Sequence, residues 1–446
     1  MHQRVRVIGG GLAGCEASLQ LASLGYEVDL YEMRPLRKTP AHNGDRLGEL
    51  VCSNSFKGLG LNSAHGLMKN ELRLLGSFLM QAAEDARVPA GESLTVDRDR
   101  FSDAIEARIA QNPRIHLIRE EVLTLAGDPR PTLVTAGPLC SDALAQDIFQ
   151  RVGGEALHFF DAIAPVIEAD SIDMNHAFWR NRWDKGTEAD FLNCPVNRAT
   201  YEEFVRKLQS ADAVEPKPFE SKELFEGCLP VEEMARRGLD TLRFGPMRPV
   251  GLGEDPETGK KWWGVIQLRA ENSQRTLFNM VGFQTRLRWG TQEEIFRLVP
   301  ALRNARFARL GCMHRNTFLE TPRVLDRYLH LKSSGKDSGI PDTWFAGQIT
   351  GAEGYTEAVA TGLYAAWNMV ETLRRGQGLE FPEGSCLRAL VDHLSAPNAD
   401  FQPMNFNFGL LPRPEKLDRK IDKKAFLGAQ AQRAILEWRM RPNLPL

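Results

Sequence analysis

Residues 5–14 read Val-Arg-Val-Ile-Gly-Gly-Gly-Leu-Ala-Gly, and no other stretch limits the fold so tightly. Val5, Val7 and Ile8 form a short apolar run, and Gly9, Gly11 and Gly14 fit the spacing G-x-G-x-x-G. Leu12–Leu24 then carries helix-forming residues with an apolar face, and Gly25 ends it. Glu27–Tyr31 reads as a second strand with Glu32 at its end, 18 residues past Gly14. Each residue type has a physical reason. The first glycine permits a tight turn, the second lets backbone approach a pyrophosphate, and the third lets the helix pack on the strand. The helix N-terminus, lined by Gly10, Leu12 and Ala13, faces the phosphates. A carboxylate at 32 accepts hydrogen bonds from a ribose diol, which favours an unphosphorylated ribose and hence FAD or NAD.

A second element of the same kind lies near the other end. Thr343–Ala346 reads as a short strand, followed by Gly347-Gln-Ile-Thr-Gly-Ala-Glu-Gly-Tyr and a helix from Thr356 to about Arg374. Gly347, Gln348, Gly351, Gly354 and Tyr355 are therefore further cofactor candidates. Between the two, residues 36–66 read as a long loop or short helices. Lys69–Ala86 and Arg98–Ala110 have helical periodicity, with Asp97 as an N-cap for the latter. Ile115–Leu125 and Thr132–Thr135 alternate like strands, and Ser141 caps a helix to Arg151. From residue 155 to about 310 the β-α alternation fades. There Glu202–Leu208 looks helical, and Lys261–Leu268 and Leu277–Phe283 look like strands. The expected architecture is α/β: an FAD-binding Rossmann-type (glutathione-reductase-like) domain split into residues 1–155 and 311–446, with an inserted α+β domain at 156–310.

With 446 residues the chain is long enough for such an arrangement, and its net charge of −2 confines any nucleic-acid surface to a local patch. Arg286, Arg288, Arg297, Arg303, Arg306 and Arg309 fall in one stretch against Glu293 and Glu294, with Trp289 and Phe307 interleaved. Arginine forks bind phosphate and aromatics stack on unpaired bases, so this stretch is the preferred RNA surface; a solvated, charge-compensated face is the alternative. The C-terminal tail adds Lys416, Arg419, Lys420, Lys423 and Lys424, then Arg433, Arg439 and Arg441, diluted by Glu415, Asp418 and Asp422. The first strand starts within five residues of Met1 and no apolar run approaches a membrane span, so a cytoplasmic location is expected.

Seven cysteines are scattered singly, with no C-x-x-C pair, which suits a reducing compartment and argues against a zinc ribbon. Cys52 sits among Ser, Asn and Gly with Lys57 nearby, and Cys228 lies between Gly227 and Pro230 in a turn-like context. Either is a candidate nucleophile; a small buried hydrophobe is the ordinary alternative. His176, His314 and His330 are candidate acid–base groups, His314 the most polar in context. No histidine and acid spacing suggests a metal site.

Several segments carry a resemblance: Val7–Gly14, Leu50-Val-Cys-Ser-Asn-Ser-Phe-Lys-Gly58, Ser171–Met174, Phe191–Pro195, Phe225-Glu-Gly-Cys-Leu-Pro-Val-Glu-Glu-Met-Ala235, Phe244–Leu252, Val281–Thr285, Met313–Phe318 and Gly347–Glu357. In these the chain resembles the folate- and FAD-dependent tRNA (uracil-54) C5-methyltransferases, the TrmFO family, whose glycine loops are shared with GidA-type tRNA-modifying flavoproteins. The resemblance implies a methylenetetrahydrofolate donor, FADH2 as reductant, NADH or NADPH to regenerate it, and the tRNA T-arm as partner, with no obligatory protein partner. It also implies Cys228 as nucleophile and Cys52 as its partner, with Cys194 in a further matching segment. Arg286, Arg288 and Arg303 become candidates to hold RNA, and Trp289 or His314 to stack on the pterin. A GidA-like wobble-uridine enzyme, a plain NAD(P)H-dependent oxidoreductase and a flavin-bound RNA chaperone are the competing readings.

Overall fold

The computed structural model describes residues 3–39, 41–152, 157–185, 188–214, 229–256, 258–332, 339–398, 401–412, 422–441 and 444. The glycine motif folds as its spacing requires: β1 (Arg4–Ile8), a turn at Gly9, α1 (Leu12–Ser23) and β2 (Glu27–Tyr31). Gly9 has φ +108°, and a Cβ on Gly14 would lie 1.9 Å from the Gly9 carbonyl oxygen, so neither position accepts a side chain.

Next come β3 (Ser55–Gly58), α2 (Ala64–Leu74), α3 (Phe78–Asp85), β4 (Arg87–Val88), β5 (Ser93–Val96) and α4 (Arg98–Ala110). The single helical period expected over Lys69–Ala86 is thus two helices. Gly76 adopts φ +74°, Ser77 caps α3, and the buried Glu16 of α1 accepts the Leu79 N–H at 2.8 Å. That carboxylate rewards a fresh helix start over continuation. Asp97 caps α4 as expected, accepting from Arg100 N–H. Then follow β6 (Ile115–Ile118), β7 (Thr132–Val134) and α5 (Asp142–Val152). β6 stops well before Leu125, because the Leu125 N–H turns away to Asp147 of α5.

The middle of the chain forms β8 (Leu157–Ala162), β9 (Val166–Glu168), β10 (Phe178–Trp179), β11 (Phe191–Val196), α6 (Arg198–Ser210), α7 (Val231–Arg236), α8 (Thr241–Phe244), β12 (Gly264–Ala270), β13 (Leu277–Met280), α9 (Trp289–Phe296) and β14 (Phe307–Arg309). Two expected strands shift. Lys261 is taken by a bridge to Glu254, so β12 begins at Gly264 opposite Val196; Gly282, at φ +78°, ends the other after Met280. Strands 9 to 14 form an antiparallel sheet in the order β10-β11-β12-β13-β9-β14. A core of Leu192, Tyr201, Phe204, Phe283 and Phe296 lies against it.

The chain then returns through β15 (Met313–Phe318), α10 (Thr321–Val324), β16 (Thr343–Phe345), α11 (Tyr355–Arg375), α12 (Cys386–Ser395) and α13 (Lys423–Arg439). β16 joins the edge of the first sheet, making a five-stranded parallel sheet in the order β16-β7-β1-β2-β6. α11 packs on α1 so closely that a Cβ on Gly362 would lie 2.4 Å from the Ala13 carbonyl oxygen. The two glycine-bearing turns, more than three hundred residues apart in sequence, are thereby placed side by side above the same sheet edge. No described helix is long and apolar enough to cross a membrane.

Candidate functional site

A cavity opens where the two turns meet. Gly9–Ala13 and Glu32 form one wall, Gly347, Gln348, Gly354 and Tyr355 another, and Cys52, Ser53, Ser55 and Lys57 a third; Arg269, Gln284 and Asn316 reach in from the antiparallel side. Gly14 and Gly351 do not line it. Gly14 serves the helix–strand approach, and a Cβ on Gly351 would strike the ring of Phe401.

The wall fits a dinucleotide. The α1 N-cap is Gly11, no side chain caps its N–H groups, and a Cβ there would meet nothing within 4 Å. Uncapped N–H groups at a helix start attract phosphate. Glu32 is buried and already accepts Gly10 N–H at 2.9 Å, Arg34 N–H at 2.9 Å and Arg34 Nε–H at 2.8 Å. A carboxylate has about four acceptor sites, so one remains for a ribose hydroxyl. Burial opposes its charge, but the hydrogen bonds and charge of Arg34 prevail and hold Glu32 below the usual carboxylate range. Asn316 adds a buried amide oxygen, on this cavity, without a hydrogen-bond partner among the described residues. Such an atom calls for a donor from a ligand.

Cys52 lies in the third wall, its Sγ 4.0 Å from the Ala162 carbonyl oxygen. Tyr355, expected as a cofactor contact, also fastens this loop: its hydroxyl oxygen accepts Cys52 N–H at 2.9 Å and Ser53 N–H at 3.1 Å. Burial, then the neighbouring Cys52, pushes the phenol well above its ordinary range, so it keeps its proton. Beneath the loop three guanidinium groups gather. Arg98 and Arg309 both reach the Cys52 carbonyl oxygen, at 3.2 and 3.5 Å. Arg269 donates to Asn54 Oδ1 at 3.1 Å and to Ser53 Oγ at 2.9 Å. The carboxylate facing them is Glu271, which pairs with Arg98. Burial pushes Arg269 and Arg309 down, yet Glu271 stays ionised, because Arg98 outweighs its own burial. Arg98, Arg269 and Glu271 have no local sequence signature; they become a cluster only when β12 docks against the start of α4.

The other expected residues are placed as follows. Cys228 lies outside the described residues. Leu229 and Pro230, which follow it, are buried, and Val231 N–H donates at 2.7 Å to the carbonyl of Gln284, a cavity residue. Cys194 is fully buried in the antiparallel core, and burial pushes its thiol up to about 12, so it is packing. Cys15 is likewise buried, its Sγ on the Gly10 carbonyl. Arg286 is turned onto Glu233 and lies 3.9 Å from Glu232, its side chain 14% exposed; it fastens its own segment and is not an open phosphate contact. Arg288, Arg303 and Trp289 are exposed, and none of the three lines the cavity. His314 sits on β15 opposite Asp161 of β8; its side chain lies outside the described residues. No group of three or more His, Cys, Asp or Glu among the described residues is placed to hold a metal.

Comparison with known proteins agrees with this architecture. The family described as "Glucose inhibited division protein A" matches residues 4–377. Two solved structures of Aquifex aeolicus GidA, in crystal forms I and II, superpose with a TM-score of 0.65, at 18% and 17% identity over 89% and 88% of this chain and 70% and 68% of theirs. They share the fold. Much nearer in sequence are proteins named methylenetetrahydrofolate–tRNA-(uracil-5-)-methyltransferase TrmFO. That of Geobacter sulfurreducens is 49% identical over 98% of both chains, and that of Desulfitobacterium hafniense 47% over 99% of both. That of Aquifex aeolicus is 48% identical over 100% of this chain and 98% of its own. With the two-turn cavity in place and relatives of this identity matched end to end, the chain belongs to the TrmFO family, within the wider GidA group of flavoprotein folds.

Proposed function

We propose that the protein methylates carbon 5 of the T-loop uridine at position 54 of tRNA, with methylenetetrahydrofolate as carbon donor, FADH2 as reductant and NADH or NADPH as the source of electrons, in the cytoplasm. The observation that carries this reading is Cys52 on the wall of the cavity between the two glycine turns, on a loop held by Tyr355, by Arg98 of α4 and by Arg269 and Arg309 of the antiparallel sheet. Residues 1–155 and 311–446 are proposed as the FAD-binding unit, with 156–310 as the unit that covers it.

Gly9–Ala13, Glu32, Gly347 and Gln348 would hold FAD along the paired turns. Bound there, FAD supplies the reducing equivalents that turn a transferred methylene into a methyl group. The protein's own work is on the uracil. Carbon 5 of uracil is a poor nucleophile until a thiolate adds at carbon 6 and makes the ring an enolate. Cys228 is assigned that addition, supported by the tie between Val231 and the cavity residue Gln284. Carbon 5 then bonds to the donor's methylene carbon, which leaves its nitrogen; Cys52 is assigned to take the carbon 5 proton, and its removal expels the Cys228 thiolate from carbon 6. Arg269 and its neighbours give the cavity a positive wall toward which enolate charge is drawn. Arg288, Trp289 and Arg303 are proposed as exposed contacts for the RNA flank.

The test is single-turnover methylation of a T-arm minihelix with labelled methylenetetrahydrofolate, with mass spectrometry of the nucleosides. 5-Methyluridine formed by the wild type, and lost in Cys52→Ala and Cys228→Ala with FAD retained, is the expected result. A modified wobble uridine in full-length tRNA, or NAD(P)H turnover that needs neither tRNA nor folate, would overturn it.

A further inference from the structure

Segment 403–409 is stitched to the second glycine turn. Met404 N–H donates to the Gly351 carbonyl and Glu353 N–H to the Met404 carbonyl, each at 3.0 Å. The Asn405 amide donates to the Glu353 carbonyl at 2.5 Å. Asn405 lines the cavity described above, and it also lines a second, open groove whose far wall is Asn62–His65 at the start of α2. Glu357 of α11 fixes the floor, accepting Phe406 N–H at 3.0 Å and standing 3.6 Å from His65 Nδ1. Groove and cavity therefore adjoin at one shared residue, Asn405.

Lys424 of α13 closes the groove's end. The helix is seated by Leu427, Ala431, Ile435 and Trp438, and Gly428 brings it onto the Leu61 carbonyl. Its outer side carries exposed Lys423, Lys424, Arg433 and Arg439, with Arg441 just beyond, and the half-exposed ring of Phe426. None of these five cations forms an ion pair with a described acid. In the 286–309 stretch Arg286, Arg297 and Arg306 are paired, which leaves Arg288 and Arg303 as its exposed cations. Unpaired surface cations are free to meet phosphates, and asparagine amides match the donor and acceptor edges of unpaired bases.

We propose that the groove and the outer face of α13 form an RNA seat: the helix holds the backbone phosphates, and the groove receives an unpaired nucleotide adjacent to the one entering the cavity. This rests on the tRNA reading above and says where the strand runs. A base drawn out of a loop leaves its neighbour unstacked, and a site beside the cavity receives it.

Lys423→Gln/Lys424→Gln/Arg433→Gln in the full-length holoenzyme should raise the Kd for unmodified tRNA about tenfold, and lower the slope of log affinity against log salt by about 2, each phosphate contact contributing roughly 0.7–0.9. Flavin content and melting temperature should not change. Asn407→Trp, at an exposed position, fills the groove; it should raise the KM for tRNA, leave that for methylenetetrahydrofolate within about twofold, and remove crosslinks from 4-thiouridine placed beside the reacting base. An unchanged Kd and slope, or an Asn407→Trp effect confined to the folate KM, overturns the seat while leaving the proposed reaction standing. A wild type that binds no tRNA overturns both.

Discussion

The parallel half and the antiparallel half build the cavity by opposite means. In the parallel half the ligand-facing surface is main chain: two glycine turns and the bare start of α1. Its buried acids serve backbone N–H groups, Glu16 at the start of α3, Glu32 at Gly10, Glu71 at Cys386 and Leu387, and Glu357 at Phe406. In the antiparallel half the contribution is side chain. Arg269 and Arg309 project from β12 and β14 onto the Cys52 loop, and Glu271, just past β12, pairs with Arg98 behind it. On the proposed function, the first manner of construction would bind a cofactor common to many reactions, and the second would position the thiol that makes one reaction possible.

Substitutions can break this contrast. Gly14→Val places atoms where the Gly9 carbonyl already stands, and should leave protein that is insoluble or colourless, measured as flavin per chain. Cys52→Ala should keep its flavin but lose methylation by about 10²–10⁴-fold in single turnover. Arg269→Gln should lower methylation by about tenfold to a hundredfold, with FAD occupancy retained, because it loosens the Cys52 loop and leaves the glycine turns intact. If Arg269→Gln bleaches the protein as thoroughly as Gly14→Val, the division of labour is wrong.

The smallest effect concerns the buried caps. Burial pushes the Glu71 carboxyl up to about 7 from an ordinary 4.5, against two backbone hydrogen bonds. Between those values the folded chain holds a proton that the unfolded chain has released, so this group's contribution to stability falls as pH rises through that window. Glu71→Gln should remove that component, flattening the melting temperature between pH 5 and 7 by a few degrees. A wild type and variant with parallel pH profiles would show that the carboxyl is charged throughout.

Legibility in the sequence followed the same division. Both glycine turns, the capped helix α4 and the return of β16 to the first sheet were readable, because local spacing of Gly, Asp and apolar residues dictates them. The break at Gly76–Ser77 was not, since the carboxylate that rewards it comes from α1. The arginine-rich stretch was visible as charge, but its partners, Glu233, Glu293 and Glu168, were found by folding. Composition therefore showed where the charge lies but not which of it is already paired.

The sequence alone determined the two strand–glycine-turn–helix elements, because their turns need residues without side chains at fixed spacing. Only the tertiary structure decided what stands opposite them. The Tyr355 hydroxyl beneath Cys52, the three guanidinium groups behind it and Asn405 between cavity and groove are contacts between residues far apart in the chain. No local pattern encodes such contacts, since their energy depends on burial and distance, which exist only once the two sheets have met.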